Sequence, residues 1–229
     1  MYKFAISILV TLCLLFSLQA GAANPNPFNL AYTIKAGKKT LGTLNVEMSR
    51  LDNGDYRLHV TTEPGSMAKM LGSEPSQETA VFANTDTGWT LKDFHQVRRG
   101  RKAGQTSVQL SGGSYEFLTD GKKKFAVPAA SSVEPTTFPI AVFTSSPKQL
   151  NGQEVLIVRR LGLRAHQYQD LGLETLELNG VTHETYKWKR VESKKSGPWY
   201  TIWTDRTTGN LVKMTRVKDG KSTSLELIH

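Results

Sequence analysis

Apolar and polar side chains alternate with a period of two along most of the chain. Leu44, Val46 and Met48 share one side of a run whose other side is polar, and the apolar side resumes at Tyr56 after a turn signal at 52–55. Such alternation is typical of a strand with one buried and one wet face. We therefore expect a hairpin over residues 43–60.

Similar short runs continue to the C-terminus, separated by turn signals that contain glycine. We predict strands at about 78–84, 89–99, 105–110, 114–118, 122–127 and 154–158, and further strands up to Ile228. Successive strands joined by short turns form a meander. The predicted fold class is mainly β: a single, highly curved antiparallel sheet, a half-barrel or β-clam, of about eleven strands with one or two short helices.

The clearest hairpin turn is the dipeptide Asn179-Gly180, because this pair favours a two-residue turn. It places Leu178 opposite Val181 and Leu176 opposite His183, on one face of the hairpin. A second hairpin is predicted to join strands at 199–203 and 211–217. Met67, Met70 and Leu71 are expected in one short helical turn or in a flap, and a brief helix is expected over 136–143.

Residues 1–22 have the composition of a secretory signal peptide. Lys3 supplies a positive charge, 4–18 is apolar apart from Ser and Thr, and 20–22 offers small residues for cleavage. The apolar run is shorter than the about 20 residues that a spanning helix needs. We expect 1–22 to be removed, 23–229 to form one half-barrel domain in the periplasm, and no transmembrane span to remain.

Chemistry-bearing motifs are scarce in this sequence. The single cysteine, Cys13, lies in the predicted signal peptide, which excludes a disulfide or a cysteine zinc site within 23–229. No nucleophile elbow, phosphate loop or dinucleotide fingerprint occurs. His183-Glu184 begins like a zinc-protease motif, but Lys187 stands where a second histidine is needed. We predict no cofactor, no metal and no enzymatic activity.

The chain is basic, with 29 Lys+Arg against 20 Asp+Glu and a net charge of +9. The basic residues cluster beside hairpin tips, where edge protection is the common explanation. The alternative is contact with an anion, for which the candidate residues are Arg98, Arg99, Arg101 and Lys102. Export excludes nucleic acid as a partner and leaves phospholipid headgroups, lipopolysaccharide and acidic glycans, so peripheral membrane contact is one expectation.

Aromatic residues give a second indication of binding. Trp199 and Trp203 share one face of a predicted strand, and Tyr186 and Trp188 share a face of the strand before it. Core packing explains most such aromatics. The alternative is that these four residues, with Met67 and Met70, line a concave apolar wall for an acyl chain or another amphiphile.

Three stretches resemble a family of exported bacterial domains of unknown function. They are the opening hairpin at 31–60, the Pro-Thr-Thr-Phe-Pro-Ile and Leu-Asn-Gly-Gln-Glu-Val segments at 135–140 and 150–155, and the closing Trp-Thr-Asp-Arg-Thr-Thr-Gly hairpins at 203–228. Similar Trp-x-Asp…Thr-Gly hairpins occur in the half-barrel periplasmic proteins that carry lipoproteins or sense envelope stress. The resemblance implies a clam-like antiparallel sheet around a helical plug, and it supplies no catalytic residues.

Together these features favour an exported, non-catalytic module that binds a lipid or another anionic amphiphile on the concave face of its sheet. The alternative is a module that docks another envelope protein through an edge strand or an apolar face. An enzyme on the same frame ranks last, and it would require His183 or His95 to lie within hydrogen-bond reach of an acid inside a pocket.

Overall fold

The computed structural model describes residues 26–70, 72–85, 88–100, 103–129, 133–134, 150–159, 162–192 and 198–228. Within them lie fifteen strands and one short helix. In chain order these are β1 (Phe28–Ala36), β2 (Lys39–Arg50), β3 (Tyr56–Pro64), α1 (Ser66–Met70), β4 (Ser76–Thr85), β5 (Gly88–Arg98), β6 (Gly104–Ser111), β7 (Ser114–Thr119), β8 (Lys122–Pro128), β9 (Val133–Glu134), β10 (Glu154–Arg159), β11 (Gly162–Leu178), β12 (Val181–Glu192), β13 (Trp199–Asp205), β14 (Leu211–Lys218) and β15 (Lys221–Leu227).

All fifteen strands belong to one sheet, in the order β8-β7-β6-β5-β4-β3-β2-β1-β15-β14-β13-β12-β11-β10-β9. The first eight strands form one meander and β10 to β15 form a second, and the two join where β1 pairs with β15. Every pairing is antiparallel except that of the two-residue β9 with β10. The chain therefore starts in the middle of the sheet and builds outward on both sides.

The sheet curls until its two halves approach each other. β9, at one edge, comes close to β5, which lies three strands in from the other edge. β6, β7 and β8 continue beyond that approach, so the described sheet overlaps itself instead of closing edge to edge. A twisted sheet of this many strands has to curl or split, which accounts for the rolled shell.

The concave side of the shell is filled by apolar side chains from almost every strand. The largest fully buried apolar side chains in it are Tyr32, Met48, Tyr56, Leu58, Phe82, Phe94, Tyr115, Phe117, Tyr168 and Trp188. Tyr32 donates a hydrogen bond to the backbone carbonyl of Leu211 at 3.1 Å, which joins the first strand to the second meander. Burial raises the pKa of the Tyr32 hydroxyl far above its ordinary value, so the group stays a neutral donor.

The predicted fold class is confirmed, with a correction to the strand count: the described residues hold fifteen strands, against about eleven expected. β9 is too short to leave a pattern, and the alternation of Phe28, Leu30, Tyr32 and Ile34 in β1 begins before the opening hairpin expected at 31–60. Residues 1–22 and the predicted helix at 136–143 lie outside the described residues.

The predicted hairpins are confirmed. Leu178 pairs with Val181 and Leu176 with His183, and Asn179 and Gly180 have φ angles of 52° and 79°, as a two-residue turn of this type requires. β13 pairs with β14 in the second hairpin. The helical turn near Met67 is α1, and the part of the chain that the structure describes contains no helix long and apolar enough to cross a bilayer.

The turns divide between two ends of the shell, because each antiparallel strand reverses the direction of the chain. One end, here called the basic end, carries the β1–β2, β5–β6, β7–β8 and β14–β15 turns and the β3–β4 connection with α1. Its exposed basic residues are Lys38, Lys39, Lys69, Arg98, Arg99, Lys122, Lys123, Lys124, Lys218 and Lys221. Its exposed acids are Glu63, Glu74, Asp120 and Asp219, so positive charge dominates there.

Candidate functional site

The predicted aromatic wall is divided between the two faces of the sheet. Trp188 pairs with Ile202 and Tyr186 with Thr204, so these two aromatics point into the shell. Trp203 pairs with Lys187 and lies on the outer face, as does Trp199. The expectation that the four residues line one concave wall is therefore wrong, because the β12–β13 register sets Tyr186 and Trp188 on one face and Trp199 and Trp203 on the other.

Trp188 belongs to the closed core. Its indole N–H donates to the hydroxyl of Thr204 at 3.2 Å, and its side chain is fully buried. Tyr186 is half-buried and packs against the same core. Both side chains help to pack β12 against β13, in agreement with the core-packing explanation for such aromatics.

Trp203 lies in a cross-strand row of alternating charges on the outer face. Lys187 and Lys213 flank it on β12 and β14, and the Lys187 ammonium lies 5.5 Å from the centre of its ring. Lys187 also binds Glu174 at 2.6 Å, which holds the pKa of that carboxyl below its usual range. The row explains the position of Trp203 through packing and ion pairs.

Trp199, Met67 and Met70 are exposed apolar side chains at the basic end. Trp199 stands at the start of β13, on the outer face, with 49% of its surface exposed. Met67 and Met70 stand on α1, where Met70 is 88% exposed. The structure thus brings these three predicted ligand residues to one end of the shell and separates them from Trp188, Tyr186 and Trp203.

A row of alternating tyrosine and arginine crosses the concave face one layer inside the basic end. Tyr168 pairs with Arg190, Arg190 with Tyr200, Tyr200 with Arg216, and Arg216 with Thr223. Directly paired residues on neighbouring strands share a face, so these five side chains form one wall, and its two tyrosines and two arginines are here called the arginine–tyrosine row. Arg190 is 1% exposed, whereas Arg216 remains partly open to solvent.

Further charged groups adjoin this row on the same face. His166 pairs with Glu192 in the next layer, and both side chains are fully closed to solvent. Arg164 binds Glu192 at 2.9 Å and keeps part of its guanidinium exposed. Three arginines against one carboxylate make this part of the concave face positive.

Sequence reasoning missed the arginine–tyrosine row. Arg190 stood among Lys187, Lys189 and the lysines after β12, where a basic run reads as a solvated tip. The alternation of Tyr186, Trp188 and Arg190 at a period of two was the available signal, since it places Arg190 on the apolar face.

The candidate anion-contacting residues lie partly within the described structure. Arg98 and Arg99 are exposed at the basic end, at the close of β5. Arg98 lines a surface cleft together with Gln105 and Asp120, and Asp120 accepts the backbone N–H of Gln105 at 2.9 Å. Arg101 and Lys102 fall outside the described residues.

The two histidines named for a possible enzyme, His183 and His95, lie on the outer face of the sheet. His183 Nδ1 lies 3.9 Å from Asp205 Oδ2, which exceeds hydrogen-bond reach, and the pair stands on the outer face. His95 is exposed on β5. His59 makes a 3.0 Å hydrogen bond with Thr79. Among the described residues, no group of three or more potential ligands is placed to hold a metal ion.

The fold is similar to that of rolled, barrel-like β proteins among solved structures. One such structure is the beta-barrel-like protein of domain of unknown function DUF1849 from Brucella abortus, with a TM-score of 0.59 and 11% sequence identity over 90% of this chain and 98% of that one. At this identity the likeness shows a shared fold. No protein-family model and no curated protein matches the sequence.

Proposed function

We propose that this chain is an exported, non-catalytic binding module for an anionic amphiphile, with the anionic group held by the arginine–tyrosine row. The observation that carries the proposal is the placement of Arg190 and Arg216 on the concave face, with tyrosine rings between and beside them. A fixed guanidinium presents several N–H donors to a phosphate or carboxylate, which suits it to such a ligand.

The geometry around Arg190 supports a preformed anion site. The Arg190 guanidinium carbon lies 4.1 Å from the centre of the Tyr200 ring, so stacking holds its plane in place. Arg216, on the other side of Tyr200, is partly open to the basic end and offers the accessible charge. A negatively charged group that enters from the basic end has access to Arg216.

We assign the apolar part of the ligand to the rim of the shell at the basic end. The core beneath the row is closed, since Trp188 and Ile202 are at most 1% exposed, so an acyl chain has no open route past them. Trp199, Met67 and Met70 are the exposed apolar side chains nearest the basic end. The ligand therefore lies across the mouth of the shell, with its head turned inward.

The test uses the chain from residue 23 onward, which contains every strand of the sheet. Native mass spectrometry would look for a copurified lipid, and thermal unfolding would be followed with added lysophosphatidylglycerol, which has an anionic head, and lysophosphatidylcholine, which does not. A ligand that binds the folded state raises the midpoint. We expect stabilisation by the anionic lipid alone and its loss in Arg216→Gln.

Arg206→Gln is the matched control, because Arg206 is an exposed arginine at the opposite end of the shell. It should keep the response of the unaltered protein. An empty protein whose midpoint ignores both lipids would refute the proposal, as would an equal loss in the Arg216 and Arg206 variants.

A second candidate function, docking of another envelope protein, is favoured by an exposed apolar pair on β11. Leu171 and Leu173 lie at an irregularity in the β11–β12 pairing and are 49% and 59% exposed.

Edge-strand docking has less support, because β8 carries Lys122 to Lys124 and ends at Pro128, residues that protect a sheet edge. A photo-crosslinker at Leu173 that yields one recurrent adduct in cells would support this function, and a spread of products would oppose it.

A further inference from the structure

We infer that the basic end is a docking surface for an anionic lipid bilayer, with α1 as the part that enters the headgroup layer. This inference goes beyond the proposed ligand site: it shares Met67 and Met70 with that site but does not use Arg190 or Arg216. It rests on the segregation of charge between the two ends and on the exposed methionines at the positive one.

Positive charge is concentrated at one end of the shell. The β1–β2 turn presents Lys38 and Lys39, the β14–β15 turn presents Lys218 and Lys221, and all four are exposed. The opposite end mixes the signs, with Asp52 and Arg50 at one turn and Glu184 bound to Arg206 at another. A charge distribution of this kind orients the molecule toward a negative surface.

The apolar contribution comes from α1, which the fold holds firmly at the basic end. Gly65 donates its N–H to the carbonyl of Leu41 at 2.7 Å, and Ala68 is the buried residue of α1. Gly42 makes the close approach possible, since a Cβ there would lie 2.3 Å from the carbonyl oxygen of Glu63. Met67 and Met70 therefore project from a fixed base.

A bilayer with acidic headgroups matches both features. Lysines close to such a surface gain electrostatic energy, while apolar side chains between them enter the interface. Lys69 stands between the two methionines on α1, and Lys39 is at the start of the neighbouring β2. A soluble polyanion would satisfy the lysines and leave the methionines in water, so the methionines distinguish the two partners.

The experiment measures sedimentation of the chain from residue 23 onward with two kinds of vesicle, equimolar phosphatidylglycerol and phosphatidylcholine or phosphatidylcholine alone. Binding is expected to the anionic vesicles only, and it should weaken as salt shortens the Debye length from about 30 Å to about 3 Å. The triple variant Lys38→Gln, Lys39→Gln, Lys221→Gln should bind about a hundredfold more weakly, as the loss of three surface lysines implies.

A matched triple variant removes the same charge from elsewhere: Arg50→Gln, Arg57→Gln, Arg206→Gln, all exposed and away from the basic end. It should retain binding within about threefold, because these side chains stand more than a Debye length from the bound surface at moderate salt. Equal weakening by the two triples would overturn the inference, since attraction would then follow net charge and not the basic end.

The pair Met67→Ser, Met70→Ser tests whether α1 enters the bilayer. It should weaken vesicle binding about tenfold, in keeping with the loss of buried apolar surface, and leave the affinity for heparin, a soluble polyanion, unchanged. An unchanged affinity for vesicles would assign the basic end to soluble polyanions and overturn the inference. Arg216→Gln should bind vesicles normally, which distinguishes docking on the bilayer from ligand binding at the arginine–tyrosine row.

Discussion

Arg190 on β12 stacks on Tyr200 of β13, with the guanidinium carbon 4.1 Å from the ring centre. Arg190 is fully buried in the shell, two residues from the end of its strand. A buried arginine is stable only when its surroundings compensate for the lost hydration. Here the Tyr200 ring lies against Arg190, and Glu192, at the end of the same strand, carries a carboxylate. The stack ties β12 to β13 near the basic end.

Replacing Arg190 should therefore destabilise the fold. We expect Arg190→Ala to cost about 3 kcal/mol, because the change leaves a cavity in a closed core and removes a buried partner. Arg216→Ala, in the same row but partly exposed, should cost no more than about 1 kcal/mol. Urea unfolding followed by tryptophan fluorescence measures both, and equal losses in the two variants would contradict the buried role of Arg190.

Glu226 gives a prediction for the effect of pH on stability. Burial by itself raises the pKa of Glu226, but ion pairs with Lys35 and Lys213 outweigh it and hold the pKa below the usual 4.5. A carboxyl group whose pKa is lower in the folded than in the unfolded state contributes its full stabilisation of the fold above the unfolded-state pKa. This contribution is lost as the pH falls through the folded-state pKa.

Glu226→Gln should thus reduce the free energy of unfolding by roughly 1 kcal/mol at neutral pH. The difference from the unaltered protein should shrink as the pH is lowered below 4.5, and urea titrations over a pH series measure it. Glu177→Gln, an exposed acid on β11, is the control and should change stability by a few tenths of a kcal/mol. A gap that stays constant across the series would argue against the ion pairs.

Local pattern was enough to predict the architecture. Alternation at a period of two and glycine turns set the strands, and Asn179-Gly180 fixed a hairpin register residue by residue, because a two-residue turn leaves no freedom in the pairing. The overlap of β5 with β9 could not be predicted in this way. It depends on the twist accumulated over many strands, which leaves no trace in any one segment.

The candidate binding residues are harder to predict, because which way a strand faces depends on its partner. Tyr186 and Trp188 were assigned to the same wall as Trp199 and Trp203, but the loop between β12 and β13 does not fix their register as a tight turn does. A slip of one residue exchanges the two faces of a strand. Arg190 was overlooked for a different reason: it lies in a basic run, although its spacing of two from Trp188 places it on the apolar face.

The hydrogen bond from Trp188 to Thr204 tests this assignment of faces. Thr204 points into the core and accepts the indole N–H at 3.2 Å, whereas Thr201 of the same strand lies on the outer face. Thr204→Val should cost about 1–3 kcal/mol, because it leaves a buried donor without its acceptor. Thr201→Val should stay within about 0.5 kcal/mol, and a reversed order in urea unfolding would place the faces the other way round.

Gly42 sets how closely α1 and the end of β3 approach β2. A Cβ at this position would lie 2.3 Å from the Glu63 carbonyl oxygen and 3.0 Å from Pro64 Cα, and both are backbone atoms that cannot turn aside. Gly42→Ala should therefore force the β2–β3 pairing apart and cost more than about 2 kcal/mol. Gly37→Ala is the control, because Gly37 has a φ of 57° but open space around its Cβ position, and it should cost about 1 kcal/mol for the strained backbone.

Chemical unfolding measures both, and hydrogen exchange at the Gly65 amide reports whether α1 has loosened. A Gly42 variant as stable as the Gly37 variant, with the Gly65 amide still protected, would show that the approach tolerates a methyl group.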